Sequence, residues 1–300
     1  MCYPGLGPAA GLAQVRARQE LRGSIRRRRR WYPDTQRFNR DPSGAEPSGR
    51  TRLACEPMRG KGHVAVADDT GERARRGRAA RLPAAPLLPV AARRPAAILG
   101  LCCLVLVIGL GALFAHQSRP DALDRVVRAW ILGLHIPLTD LADVSRIGGT
   151  TATTVLTAAL ALGCLAARRV SGAMLAVLGV AVASALTEWV VKPVVDRTIT
   201  IHHYVSYPSG HTTGLFALSA ALAVVLLSAR PARSRQAARV AAVAGALVVS
   251  AAVGVAMIGL DFHYFTDTVA GAAVGTGVVL GVAFLLDCDV VRHWVGRLGR

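Results

Sequence analysis

The chain has 300 residues, is 52% hydrophobic but only 5% aromatic, and carries a formal charge of +18. A positive mean hydropathy beside so large a charge excludes an ordinary soluble domain and points to a membrane protein with basic flanks. The six cysteines, at 2, 55, 102, 103, 164 and 288, have neither a disulfide framework nor a zinc spacing.

From the N-terminus, residues 1–94 read as a disordered, Arg-rich tail. Blocks such as Arg26 to Arg30 and Arg73 to Arg78 show no apolar period, so nothing there can form a core to offset the entropy of ordering. Such a tail either attracts anionic lipid or nucleic acid, or is a solvated topology signal, or reflects translation starting later, for instance at Met58. No specific nucleic-acid motif accompanies it. The first apolar run lies too far in for a cleaved signal peptide. Arginine supplies all the basic residues except Lys61 and Lys192, which with the heavy Ala and Val usage suggests a high-GC bacterial genome.

After residue 95 apolar runs recur, each near the ~20 residues a helix needs to cross ~30 Å of hydrocarbon. Six spans are expected, at about Ala96–Ala115, Thr151–Ala167, Ser171–Val191, Thr213–Ser228, Val240–Leu260 and Thr268–Leu286. Lipid offers no partner to backbone groups, so these must be helices, and the fold class is an all-α, integral membrane six-helix bundle over 95–300. Between the first two spans, Asp121 to Leu141 has the mixed spacing of an amphipathic helix lying at the interface.

If six spans alternate, the tail, Arg168-Arg169, the stretch Arg230 to Arg239 and the C-terminal Arg292, Arg297 and Arg300 share one side. Arg-rich loops mark that side as cytoplasmic, with both termini there. The other side then receives Lys192, at the end of the third span; Ser209-Gly210-His211, opening the fourth; and His263 with Asp267, before the sixth. The same parity that places the basic loops thus gathers the polar chemistry on the extracytoplasmic face.

Those residue types suit a phosphate. A helix N-terminus offers unpaired N–H groups and a partial positive charge, and Gly210 lets backbone approach a ligand. Ser209 is placed to cap the fourth span or to donate to the ligand. On one helical turn the Asp267 carboxylate can reach the His263 imidazole and fix its tautomer, making it a nucleophile, while His211 can protonate a leaving oxygen.

Lys192, Pro208-Ser209-Gly210-His211 and His263-Tyr264-Phe265-Thr266-Asp267 resemble the three signature motifs of the type 2 phosphatidic acid phosphatase superfamily, whose bacterial membrane members also have six spans. The resemblance covers about 95–300. It implies a metal-independent lipid phosphatase without cofactor in a bacterial plasma membrane. His263 would be the nucleophile that forms a phosphohistidine, Asp267 its partner and His211 the acid. Lys192, Ser209 and Gly210 would hold the phosphate of a lipid monoester or diphosphate, with membrane lipids as partners.

Two positions depart from the family pattern. Ile199-Thr200 stands where the first motif has Arg-Pro, and Ala256-Met257 where the third has Ser-Arg. Both family arginines clamp phosphate, and losing one preorganised donor can cost ~2.7 to 4 kcal/mol of transition-state stabilisation. Arg197 is either a substitute clamp or a plain interfacial anchor. Lys192 could instead snorkel to the headgroups or pair with Glu188 one turn earlier. His202, His203 and Asp261 raise a metal site but lack a ligand spacing; Trp189 and Tyr204 read as interfacial aromatics. A catalytically weakened lipid-phosphate binder or scaffold is the alternative function. A small transporter would need internal repeats or midspan charges, which the spans do not show.

Overall fold

The computed structural model describes residues 86–199, 204–228, 233–289 and 291, with no side chain described at 233–234. Most of the expected Arg-rich tail, His202, His203 and the C-terminal arginines lie outside the described residues. The rest is an all-α membrane bundle. In chain order it has α1 (Val90–Phe114), α2 (Ala122–Gly133), α3 (Leu138–Ile147), α4 (Thr150–Ala166) and α5 (Val170–Leu186). A π-helical turn (Thr187–Val191), the short α6 (Lys192–Val195), β1 (Thr198–Ile199) and β2 (Tyr204–Val205) follow, and then α7 (Gly210–Leu227), α8 (Arg233–Gly259) and α9 (Phe265–Leu286).

Five helical stretches are long and apolar enough to cross a membrane, and a sixth results if α3 and α4, bent by 42° at Gly148-Gly149, count as one. The outer faces agree with a lipid setting: Ile98, Leu101, Val105 and Ile108 of α1 are all more than half exposed, an apolar surface that water would not tolerate. Six spans, expected as separate runs, therefore appear as five plus a bent pair. The expected single amphipathic helix from Asp121 is two, because His135 takes a left-handed backbone (φ 53°) and Pro137 cannot continue α2.

α9 is the central helix and packs against α7, α1 and α5. Small residues allow this. A Cβ on Gly271 would fall 2.5 Å from the Ser209 carbonyl oxygen, and one on Gly275 would fall 2.4 Å from that of Thr213, so both must be glycine for α9 to meet α7 backbone to backbone. Leu175, Ala183, Ala217, Ala221, Val279 and Ala283 fill the core beyond that contact.

The membrane domain begins before residue 95. α1 starts at Val90 and carries Arg93 and Arg94 in its first turns, with Pro95 inside it. Ahead of it Leu87 and Leu88 are buried. Their backbone N–H groups donate to the two carboxylate oxygens of Asp287, at 2.7 and 2.8 Å, just past the end of α9. The tail's expected last residues are thus docked, since an apolar pair followed by a helix start can bury itself where an arginine block cannot.

The β1–β2 hairpin is antiparallel, pairing Thr198 with Val205 and Ile199 with Tyr204. It is the only sheet among the described residues, and with Ser206 N–H donating to the Arg197 carbonyl at 2.7 Å it holds the α6–α7 connection over one end of the bundle.

Candidate active site

The ends of α5, α7 and α8, the start of α4 and the turn before α9 surround a cavity of about 930 Å³. Its polar end carries Glu188, Lys192, Gly210, His211 and His263; its walls are largely apolar, among them Ala158, Val177, Val180, Ala181 and Met257. The alternation of spans read from the sequence therefore does gather these residues at one end of the bundle.

Lys192 owes its position to the π-helical turn. Its backbone N–H bonds back to the carbonyl of Thr187, five residues earlier, which widens the helix where α5 becomes α6. Its ammonium group is 2.6 and 2.8 Å from the two oxygens of Glu188, so of the alternatives for Lys192 the intrahelical pair is present, and both residues face the cavity.

His211 lies in the first turn of α7. His263 lies between α8 and α9 and is only 7% exposed; Tyr204 meets it edge-on at 6.2 Å between ring centroids, and the Tyr204 hydroxyl donates to the Phe262 carbonyl. Burial first, and then the charges of Lys192 and His211, push the His263 imidazole down to about 3, a shift the Ser206 backbone only partly offsets. His263 is therefore neutral at any physiological pH, and a neutral imidazole is the form that can attack.

Asp267 does not make the expected hydrogen bond. Its Oδ2 stands 4.0 Å from His263 Nδ1 and instead accepts from the Tyr264 backbone N–H at 3.0 Å, leaving Nδ1 without a hydrogen bond. Its Oδ1 accepts from Arg197 at 2.7 Å. The carboxylate holds the start of α9 and stands one small movement away from the histidine.

Nor does Arg197 reach toward a phosphate. It is fully buried and outside the cavity, with Nη1 donating to Asp267 and, at 2.6 Å, to the Thr266 hydroxyl, and Nη2 donating at 2.7 Å to Asp124. The Phe114 and Tyr264 rings lie 4.1 and 4.5 Å from its Cζ. Asp124 in turn accepts from the Thr266 N–H and hydroxyl. Arg197 is neither clamp nor interfacial anchor; it ties α2 and the hairpin to α9. Its partner Asp124 is not singled out by the sequence, where the available signal is a carboxylate in the first turn of an amphipathic helix that also carries Arg125 and Arg128.

Ser209 sits at the N-cap position of α7, but its side chain makes no capping bond; it is fully buried, and its Oγ has no partner. Its backbone does the work, the N–H donating to the Asp267 carbonyl at 3.0 Å and the carbonyl accepting from Thr213 at 2.9 Å. Asp261 is engaged by Arg128, whose Nη2 donates to it at 3.0 Å. Of the two positions where the resembled family has arginine, Met257 is a wall of the cavity, and Ile199 lines a separate cleft of about 510 Å³ beside His263. Of the expected site residues, Lys192, Gly210, His211 and His263 share the cavity, whereas Arg197, Ser209 and Asp267 stand behind it.

No family model, no curated protein and no solved structure matches this chain.

Proposed function

We propose that this multi-pass membrane protein is a metal-independent phosphatase that hydrolyses the phosphate monoester or diphosphate of a lipid. The observation that carries the reading is the cavity: two histidines and a lysine from three separate chain segments meet at the polar end of a largely apolar chamber of about 930 Å³ between helices. A lipid tail fits the chamber and a phosphate fits its polar end. Lys192 and the N-terminus of α7 would draw the phosphate in. Nε2 of His263, the nitrogen away from Asp267, would attack phosphorus as the P–O bond to the leaving group breaks and His211 gives that oxygen a proton. Water would then cleave the P–N bond, releasing phosphate and restoring His263. Asp267 would close its 4.0 Å gap to stabilise the imidazole as charge develops on it.

The basic residues Arg168, Arg169, Arg235 and Arg239 belong to the opposite helix ends, so the cavity would open to the extracytoplasmic face of a bacterial plasma membrane, with both termini inside. A binding protein without turnover is the second reading, favoured by the engagement of Arg197 in the interior and the absence of a His263–Asp267 hydrogen bond. Phosphate release from a panel of lipid phosphates by the purified chain, with His263→Ala as control, separates the two. Release by wild type alone supports the enzyme; equal release from both, or none from either, overturns it.

A further inference from the structure

The phosphate seat is already occupied by an anion of the protein's own. Glu188 Oε1 is 2.6 Å from Lys192 Nζ, and a Cβ built on Gly210 would stand 2.9 Å from that same oxygen and 4.0 Å from Nζ. Gly210 therefore makes room, in this structure, for the Glu188 carboxylate against the first turn of α7. A carboxylate, a lysine and a helix N-terminus meet where a phosphate, a lysine and a helix N-terminus are needed. The neighbouring His263, 7% exposed, lines the same cavity and turns its unpartnered Nδ1 toward Asp267 behind it, which leaves Nε2 as the nitrogen away from Asp267.

We infer that Glu188 is an internal competitor for the phosphate seat: a ligand phosphate binds by displacing its carboxylate from Lys192 and the α7 N-terminus. This rests on the reading of the cavity as a phosphate site. The Glu188 side chain is 49% exposed and Lys192 20%, so the carboxylate has solvent to swing into, and an exposed pair of this kind holds weakly enough to exchange. The π-helical turn that carries Glu188 is a local irregularity of the sort found at functional sites.

The consequence concerns the threshold for occupancy. Displacing Glu188 costs the same for every ligand, so it leaves the ratio of two affinities unchanged while weakening both. In a bilayer crowded with phosphodiester headgroups, weak ligands then leave the seat to Glu188, and a doubly charged terminal phosphate still takes it. Gly210 is part of the device, because any side chain there would push the carboxylate off its position.

The test is calorimetric titration of the full-length chain in a non-ionic detergent with two matched oxyanions, hexylphosphonate as a dianion and hexyl sulfate as a monoanion. Glu188→Gln should strengthen both by the same factor, on the order of tenfold, the combined hold of an exposed ion pair and a helix end. Glu188→Asp, one methylene shorter, should fall between and serves if the Gln variant folds poorly. Unchanged or weaker binding in both variants would overturn the competitor and make Glu188 a residue that positions Lys192. A gain clearly larger for the phosphonate would overturn it too, since through-space repulsion scales with ligand charge and displacement does not. Binding that is lost in Lys192→Gln yet indifferent to Glu188 overturns the competitor and leaves the phosphate site standing. No binding by wild type or any variant overturns both.

Discussion

Two ion-paired regions lie within one end of the bundle, and they are built oppositely. Around Arg197, two carboxylates, a hydroxyl and two aromatic rings enclose a guanidinium with no access to solvent. Around Lys192, a single carboxylate shares an open cavity with the ammonium group. A charge buried among fixed partners is committed to architecture, because removing any partner strands the others in a low dielectric. A charge paired at a cavity wall can trade its partner for a ligand. The chain thus keeps one cationic residue at the cavity wall and gives its nearby arginine to the scaffold.

The sharpest way to break that contrast is Arg197→Ala. It strands Asp124 and Asp267, and stability in detergent, followed by thermal or denaturant unfolding, should fall by ~3 to 5 kcal/mol. Arg197→Lys should recover little, since one ammonium nitrogen cannot span the two positions from which Nη1 bonds Thr266 and Asp267 and Nη2 bonds Asp124, nor stack as a plane between Phe114 and Tyr264. Lys192→Ala should do the reverse: stability changes by less than ~1 kcal/mol, while affinity for hexylphosphonate falls by roughly 10-fold or more, read by titration. A Lys192 variant as unstable as the Arg197 variant would erase the distinction.

A smaller effect sharpens it through pH. The folded His263 is held at about 3 and the unfolded chain returns it to ~6.5, so between those values the unfolded state binds the extra proton. Stability should therefore be fully present above ~6.5 and decline as pH falls toward 3. His263→Gln should show a shallower decline over the same window in unfolding midpoints; an identical slope would show that burial of His263 is not what makes the fold acid-sensitive.

How far the sequence reaches follows the same division. Spans were legible because lipid imposes one solution on a long apolar run, and the shared end of Lys192, His211 and His263 followed from counting those runs. Helix starts were less legible: Arg93 and Arg94 looked like tail, yet α1 includes them. Asp121 to Leu141 looked like one helix because spacing does not reveal the left-handed His135. Arg197 was misread because the carboxylates that bury it lie on α2 and α9, distant in the chain, and proximity to Lys192 in sequence says nothing about such partners. The π-helical turn left no mark in composition at all.

The grip of Asp287 on Leu87 and Leu88 has a consequence in time. Its partners lie 200 and 199 residues before it, so the first described helix is synthesised long before the residue that receives the segment ahead of it. During translation the backbone donors ahead of α1 cannot reach this carboxylate until α9 has been made. The clasp joins the earliest described segment to the end of the central helix, so it closes the described bundle end to end across nearly its whole sequence.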